Sequence, residues 1–148
     1  MAVSSGPVTA STDAERAMFD FVDAYDRAFE TAALEHGLSV AQACVLGRLT
    51  RRIGMRELAD EIGCDASNVT QIIRRLEARD LVRRQPHPDD RRSRHIVRTA
   101  DGTALYAAFE ESFAFARSAI ANLDAREQDQ LATLLRKALN GGQAHSSR

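Results

Sequence analysis

The sequence predicts a mainly α-helical fold that contains one small β-hairpin. Apolar residues recur at helical spacing through most of the chain, which is typical of amphipathic helices. One internal stretch differs, because the β-prone segments 81–84 and 95–98 flank a polar loop with Pro86 and Pro88. With 148 residues, the chain has room for a single domain.

The composition of the chain is that of a globular protein and indicates neither a membrane protein nor a secreted one. Apolar residues make up 44% of the chain and charged residues 28%, as in ordinary globular domains. No apolar run approaches the roughly 20 residues that cross a bilayer, so no membrane partner is expected. The first residues lack the basic start and apolar middle of a secretory signal. Two cysteines are too few for a disulfide framework, and a cytoplasmic protein is expected.

Charge is distributed unevenly along the chain. Residues 48–98 contain 13 arginines and 8 acidic side chains, an excess of five positive charges. The other residues contain 7 basic and 13 acidic side chains, an excess of six negative charges. A basic middle between acidic flanks is expected where one part of a protein contacts a polyanion. A solvated charged surface would have the same composition, so only the positions of the arginines distinguish a polyanion-binding surface from a solvated one.

The first third of the chain predicts two helices. An apolar stripe predicts a long helix from Thr12 to about residue 36, which Gly37 ends. Ser39 is a suitable N-cap for the second helix, and Gln42 completes a capping box. Residues 1–11 are small and polar and are predicted to be a disordered tail.

Two short helices follow in close succession. The first is predicted over residues 55–62 and ends at Gly63. Asp65 is a suitable N-cap for the next, which extends to about residue 79. Short helices joined by about three residues at a glycine form a helix-turn-helix. The β-hairpin that follows is then its wing.

The last third is predicted to be helical again. Thr99 or Asp101 caps a long helix that extends to about residue 121, and Asp124 with Glu127 caps a final helix. A single domain is therefore predicted over residues 12–140, with a mobile tail at 141–148.

The second helix of the motif has residues suited to reading DNA. Its apolar positions account for the buried side and leave a polar face. Amides can form paired hydrogen bonds with adenine, guanidinium groups with guanine, and hydroxyls with phosphates. A solvated polar face is the alternative interpretation. The predicted DNA-binding residues are Ser67, Asn68, Thr70, Gln71, Arg74 and Arg75.

The hairpin loop adds a second basic feature. Arg91, Arg92 and Arg94 lie within four residues, and such a loop gains little by packing on its own protein. Arginine at a hairpin tip can enter the minor groove, where the negative potential is strong. We expect Asp90 to pair with one arginine and orient it. An exposed charged turn is the alternative.

These motifs resemble the MarR family. The resemblance lies in Arg56-Glu57-Leu58-Ala59, Val69-Thr70, Leu76-Glu77-Ala78-Arg79 with Leu81-Val82, and Asp90-Arg91-Arg92 followed by Thr99 and Gly102. Leu38-Ser39 with Gln42 and Val45-Leu46 is similar to the second helix of that family. The resemblance extends over about residues 38–102 and implies a winged helix-turn-helix fold.

The resemblance also implies how such a protein works. Segments of about 12–37 and 101–140 would join two copies as a homodimer, and residues 38–100 would bind a pseudo-palindromic operator in double-stranded DNA. Repression would be released by a small aromatic or lipophilic effector. Three residues depart from the family pattern: Asp80 replaces a glycine, Arg98 an apolar residue, and Gln71 a basic one.

The sequence also leaves alternatives to a repressor that is released by a ligand. A dimeric DNA-binding protein without an effector fits equally well, while a protein-interaction module should expose apolar residues on the polar helix. No catalytic or cofactor motif is present, so no enzyme and no cofactor are expected. His87, Asp89 and His95 could meet across the wing, but a solvated loop is favoured over a metal site. Cys44 and Cys64 are expected to be packed thiols.

Overall fold

The structure, a computed structural model, describes residues 9–143 and the side chains as far as residue 141. Residues 1–8 and 144–148, which make up most of the tails predicted at 1–11 and 141–148, lie outside this range. The chain forms two compact units that divide between Phe113 and Ala114. Within the described range the elements are α1 (Asp13–Glu35), α2 (Val40–Arg48), β1 (Ile53–Gly54), α3 (Met55–Ile62), α4 (Ala66–Ala78), β2 (Val82–Pro86), β3 (Arg94–Arg98), α5 (Ala100–Ser112), α6 (Phe115–Ala121) and α7 (Ala125–Gln143). The predicted fold class, mainly helical with a small β-hairpin, is confirmed.

Local sequence signals set the helix starts. Thr12 and Ser39 each form a capping box with the residue three positions later, Glu15 and Gln42 respectively. Thr99, rather than Asp101, is the N-cap of α5 and accepts a hydrogen bond from the Gly102 N–H. Short-range side-chain hydrogen bonds therefore set the starts of α1, α2 and α5.

The sheet has three antiparallel strands in the order β1-β3-β2. The wing hairpin pairs Val82 with Arg98 at its base and Pro86 with Arg94 toward its tip. Strand β1 was not predicted, and it pairs Ile53 with Ile96 on the other edge of β3. Strand β1 is only two residues long and has one fully buried side chain, so it shows no alternating apolar pattern from which a strand could be predicted.

One hydrophobic core lies in the first unit. Helices α1 to α5 and all three strands contribute side chains to it, and none of its buried residues is polar or charged. The largest fully buried side chains are those of Leu38, Val45, Leu46, Ile53, Leu58, Val69, Ile73, Leu76, Ile96 and Phe109. The polar face of α4 is therefore held by a continuous apolar core beneath it.

The wing is fixed at its base by two close backbone approaches. Asp80, which follows α4, has a left-handed backbone with φ 57°, and its carbonyl oxygen accepts the Thr99 hydroxyl proton. Gly102 packs so closely on Leu81 that an added Cβ would lie 1.9 Å from the Leu81 carbonyl oxygen. Only glycine fits at this contact, which explains the Thr-x-x-Gly sequence after the wing.

The second unit consists of α6 and α7. Asp124 and Glu127 form reciprocal backbone–side-chain hydrogen bonds of 2.9 Å before α7, as the sequence predicts. Helix α7 continues through Gly141 to Gln143, three residues past the domain end expected at residue 140. Leu134, Leu135 and Leu139 are exposed on α7.

Two further predictions were wrong. The single helix expected from Thr99 to about residue 121 is interrupted at Phe113, whose ψ of 72° ends α5. Neither glycine nor proline marks this break, and the Phe113 ring instead packs edge-on against Tyr25 and Phe29 of α1. Cys44 is exposed on α2, whereas Cys64 packs against the core.

Candidate nucleic-acid interface

Helix α4, the second helix of the helix-turn-helix, presents a polar face to solvent. Its inner side is anchored by the buried residues Val69, Ile73 and Leu76. Asp65 is the N-cap as predicted, although its side chain accepts no hydrogen bond from the first turn. Five of the six predicted residues on this helix are exposed: Ser67, Asn68, Gln71, Arg74 and Arg75.

Thr70 is the exception among the predicted helix residues. It is half-buried, and its hydroxyl donates a 2.7 Å hydrogen bond to the Ala66 carbonyl oxygen one turn earlier. The hydroxyl proton is therefore used within the helix, and only an acceptor oxygen remains for a partner.

The wing exposes all three predicted arginines. Arg91 and Arg92 lie in the tight loop at the tip, and Arg94 begins strand β3. None of these guanidinium groups, nor those of Arg74 and Arg75, forms an ion pair within residues 9–143. Uncompensated arginines on two neighbouring elements form a surface with high affinity for an anion.

The prediction for Asp90 was wrong in its partner. Within the described part of the chain its carboxylate contacts no guanidinium group. It accepts the Arg92 backbone N–H at 2.9 Å and the Ser93 hydroxyl at 3.1 Å. An aspartate closing a turn on the backbone two residues later is a common local arrangement. Asp90 therefore shapes the loop and leaves the arginine side chains unpaired.

These hydrogen bonds also set the charge state of Asp90. The Arg92 backbone N–H and then the Ser93 hydroxyl lower the pKa of the Asp90 carboxyl, because both donate to its ionised form. The turn is consequently most stable when Asp90 is charged.

The helix and the wing are joined by a short, well-connected segment. Arg84 of β2 pairs with Glu77 of α4 at 3.0 Å, with both side chains about one-third exposed. The Thr99 backbone N–H donates to the Leu81 carbonyl oxygen at 3.1 Å. The orientation of the wing is thereby coupled to that of α4. The Arg84–Glu77 pair was not predictable from the sequence, because seven positions separate its partners and no local period relates them.

A second ion-pair cluster braces the start of α3. Arg51 contacts Glu57 at 2.6 Å and Glu61 at 3.0 Å. The hydrogen bond from Arg51 lowers the pKa of Glu57, although both groups are exposed. This cluster neutralises acidic charge on the helix-turn-helix, and it was also missed from sequence.

Arg98 is the departure from the family pattern with the clearest structural result. Its Nε donates to the Leu46 carbonyl oxygen at 2.7 Å, and its guanidinium carbon lies 4.3 Å from the centroid of the Tyr106 ring. Its Nη2 is buried and has no hydrogen-bond partner within the described residues. Burial lowers the pKa of Arg98 and raises that of Tyr106. The wing thus packs well on α2 and α5, despite the charge.

The wing histidines meet, as the sequence allowed. The rings of His87 and His95 lie with their centroids 4.4 Å apart, and the His87 Nδ1 accepts the Asp89 backbone N–H at 3.0 Å. Within the described residues, no three histidine, cysteine or acidic side chains are arranged to hold a metal ion. Over the same range, no helix has the length and apolar character needed to span a membrane.

A two-stranded wing after a helix-turn-helix, with arginines at its tip, defines a winged helix-turn-helix protein. Residues 40–93 match the model of the MarR family. This match and the fold make the DNA-binding part of the chain similar to proteins of the MarR family. A search of curated protein sequences found no significant match.

Solved structures of similar fold include three informative relatives. Wild-type MarR from E. coli in its apo form is 24% identical with a TM-score of 0.71, covering 90% of this chain and 99% of that one. YusO from Bacillus subtilis is 21% identical with a TM-score of 0.71, covering 86% and 93%. A mutant of E. coli MarR complexed with operator DNA is 26% identical with a TM-score of 0.67, covering 84% and 92%.

Proposed function

We propose that this protein is a transcriptional regulator that binds double-stranded DNA in a sequence-specific manner and acts as a dimeric repressor. One observation carries the proposal: Arg74 and Arg75 on the exposed face of α4, and Arg91, Arg92 and Arg94 of the wing, form no ion pair among the described residues. In this proposal α4 enters the major groove, and Arg91 and Arg92 reach the adjacent minor groove.

The chemistry of this surface favours nucleic acid over a protein partner. A protein-binding version of this helix would expose apolar side chains. The outward residues Asn68, Gln71 and Arg74 instead present amides and a guanidinium group, which match the base edges. The structure of a MarR mutant with operator DNA supports the same mode of binding here. Binding to genomic DNA places the proposed function in the cytoplasm.

The exposed apolar residues support a homodimer. Helix α1 exposes Met18, Val22 and Leu34, which are 53%, 47% and 66% accessible in the single chain. In the second unit, α7 separately exposes three leucines that are 52–73% accessible. Apolar stripes of this extent are buried by self-association in most helical proteins. A symmetric dimer would then bind a pseudo-palindromic operator.

Release by a small aromatic or lipophilic effector completes the proposal. Tyr25, Phe29, Phe109 and Phe113 form a set of edge-on aromatic contacts between α1 and α5. Arg98 contributes a buried, unpaired Nη2 on the neighbouring β3. An acidic aromatic molecule could satisfy this donor, and it would have to displace side chains to reach it. Displacing these side chains alters the contact between the wing and α2. The effector then has different affinities for the conformation that binds DNA and the conformation that does not.

The proposed function is tested by selecting bound fragments from random duplexes and then titrating the best one. We expect enrichment of an inverted repeat and two chains per duplex, with light scattering of the free protein giving about twice the 16.3 kDa chain mass. A monomer that binds all sequences equally would contradict it. Enrichment that no aromatic compound reverses would favour a dimeric DNA-binding protein without an effector.

A further inference from the structure

The half of the wing toward its tip contains a pair of histidines with unequal hydrogen bonding. His87 follows β2, and His95 lies in β3, with the two rings inclined at 61°. The His87 Nδ1 accepts the Asp89 backbone N–H, so this nitrogen holds no proton in the observed loop. The His95 Nδ1 is buried and has no hydrogen-bond partner within the described residues. A buried polar atom without a partner is uncommon and calls for a physical reason.

Both histidines line an open cleft of about 700 Å³ between the wing and the start of α3. Across the cleft, Arg56, Glu57 and Asp60 of α3 face the rings, and Ser93 and Arg94 complete the wing side. Each ring has a carboxylate within electrostatic reach. His95 contributes to the lowered pKa of Glu57 after Arg51, and His87 to that of Asp90 after Arg92 and Ser93.

We propose that His87 and His95 form a proton-binding site in the wing, and that a proton bound there strengthens the binding of the wing to DNA. This inference rests on the proposed function. Histidine is the side chain that changes its charge between pH 5 and 8. A proton here adds positive charge to an element that already exposes Arg91, Arg92 and Arg94, and the phosphates of DNA favour the charged form.

The geometry indicates which ring receives the proton. Protonation of the His87 Nδ1 would break its hydrogen bond with Asp89, whereas the His95 Nδ1 has no hydrogen bond to lose and would need a new acceptor, such as a water molecule or a DNA phosphate oxygen. A proton on His95 is also stabilised by the Glu57 carboxylate across the cleft. Two charged rings in contact would repel each other, so the pair takes up one proton rather than two.

The test measures proton uptake when the selected duplex binds. Calorimetric titrations at pH 6.5 in two buffers with different ionisation enthalpies give the number of protons bound. We expect an uptake of up to roughly half a proton per chain at this pH, and binding about three- to tenfold tighter at pH 6 than at pH 8. In His95→Gln, which keeps a polar side chain, the uptake falls toward zero and the affinity becomes nearly independent of pH.

The matched control is His36→Gln. His36 lies far from the wing in sequence and contacts the Ser112 hydroxyl at 2.7 Å, so its replacement leaves the pH dependence intact. Circular dichroism melting confirms that both variants are folded. Equal proton uptake by wild type and His95→Gln would overturn the inference while leaving DNA binding established. Absence of binding at every pH would contradict the proposed function instead.

Discussion

The Nε of Arg98 donates a 2.7 Å hydrogen bond to the carbonyl oxygen of Leu46, which joins the last residue of wing strand β3 to helix α2. The same guanidinium group covers the Tyr106 ring of α5. One side chain therefore connects three elements of the first unit. The charge gains no carboxylate partner within the described residues, so its contribution to stability depends on the balance between packing and desolvation.

Two substitutions of Arg98 separate these contributions. Arg98→Leu keeps an apolar side chain over Tyr106 and removes the unpaired Nη2, so the free energy of unfolding should stay constant or rise by up to about 1 kcal/mol. Arg98→Ala also removes the packing and should lower it by about 1–3 kcal/mol. Urea denaturation of both variants measures the difference. Equal destabilisation by leucine and alanine would mean that the charge itself stabilises the fold.

The wing arginines should act on DNA binding and not on folding. Arg91 and Arg92 are exposed on a loop, so the double variant Arg91→Ala/Arg92→Ala leaves no cavity and should melt like wild type. Each phosphate contact that is lost should make the slope of log affinity against log salt shallower by about 0.9. Binding titrations at four salt concentrations measure this slope.

The control for that prediction removes two arginines elsewhere. Arg16 and Arg27 are exposed on α1, so Arg16→Ala/Arg27→Ala changes the net charge by the same amount outside the wing. If both double variants lose the same affinity, the wing has no specific role and only total charge matters.

The hydrogen bonds of Asp90 should make its contribution to the stability of the fold depend on pH. Its folded-state pKa lies below the ordinary value near 3.9, because the Arg92 N–H and the Ser93 hydroxyl bind the ionised form. Its stabilisation is therefore fully present above about pH 4 and is lost as the pH falls through the lower, folded-state pKa. Asp90→Asn, which lacks the charge, should melt earlier than wild type at pH 6 and approach it at pH 3. A constant difference between the two melting temperatures from pH 6 to pH 3 would contradict this role.

Local signals explain why much of the fold was predictable. Capping boxes at Thr12 and Ser39, the left-handed Gly63 and the apolar periodicity of α4 each act within four residues along the chain. Asp80, which replaces a glycine of the family pattern, adopts the left-handed conformation with a φ of 57°. Asparagine and aspartate adopt this conformation more readily than most residues.

The features that sequence did not predict depend on contacts distant along the chain. The break at Phe113 accompanies its packing on α1, and β1 exists only through its pairing with Ile96. The Asp90 prediction failed differently. An aspartate beside arginines can accept hydrogen bonds either from a guanidinium group or from the backbone. The geometry of this loop selects the backbone, and the sequence does not show that geometry. The polar face of α4 was predictable because helical periodicity alone determines it.

The last prediction separates base reading from phosphate anchoring on α4. Asn68 and Gln71 are exposed in the first half of the helix, which is the end that enters the groove in helix-turn-helix proteins. Replacing either with alanine should cost about 1–3 kcal/mol on the selected duplex and much less on a scrambled one. Arg74 and Arg75 lie about a turn later, where we expect the helix to pass the phosphate backbone of the DNA. Replacing these arginines should weaken binding to both duplexes by the same factor and make the salt dependence of the affinity shallower.

Val69→Ala provides the folding control for this experiment. Val69 is fully buried on the inner side of α4, so its truncation should lower stability first and DNA binding only as a consequence. Titrations of each variant on both duplexes at two salt concentrations give the ratio of specific to non-specific affinity. This ratio should fall for Asn68→Ala and Gln71→Ala and stay constant for Arg74→Ala and Arg75→Ala. If the amide variants lose affinity for both duplexes by the same factor, these side chains do not read bases. Specificity would then depend on the arginines or on the shape of the DNA.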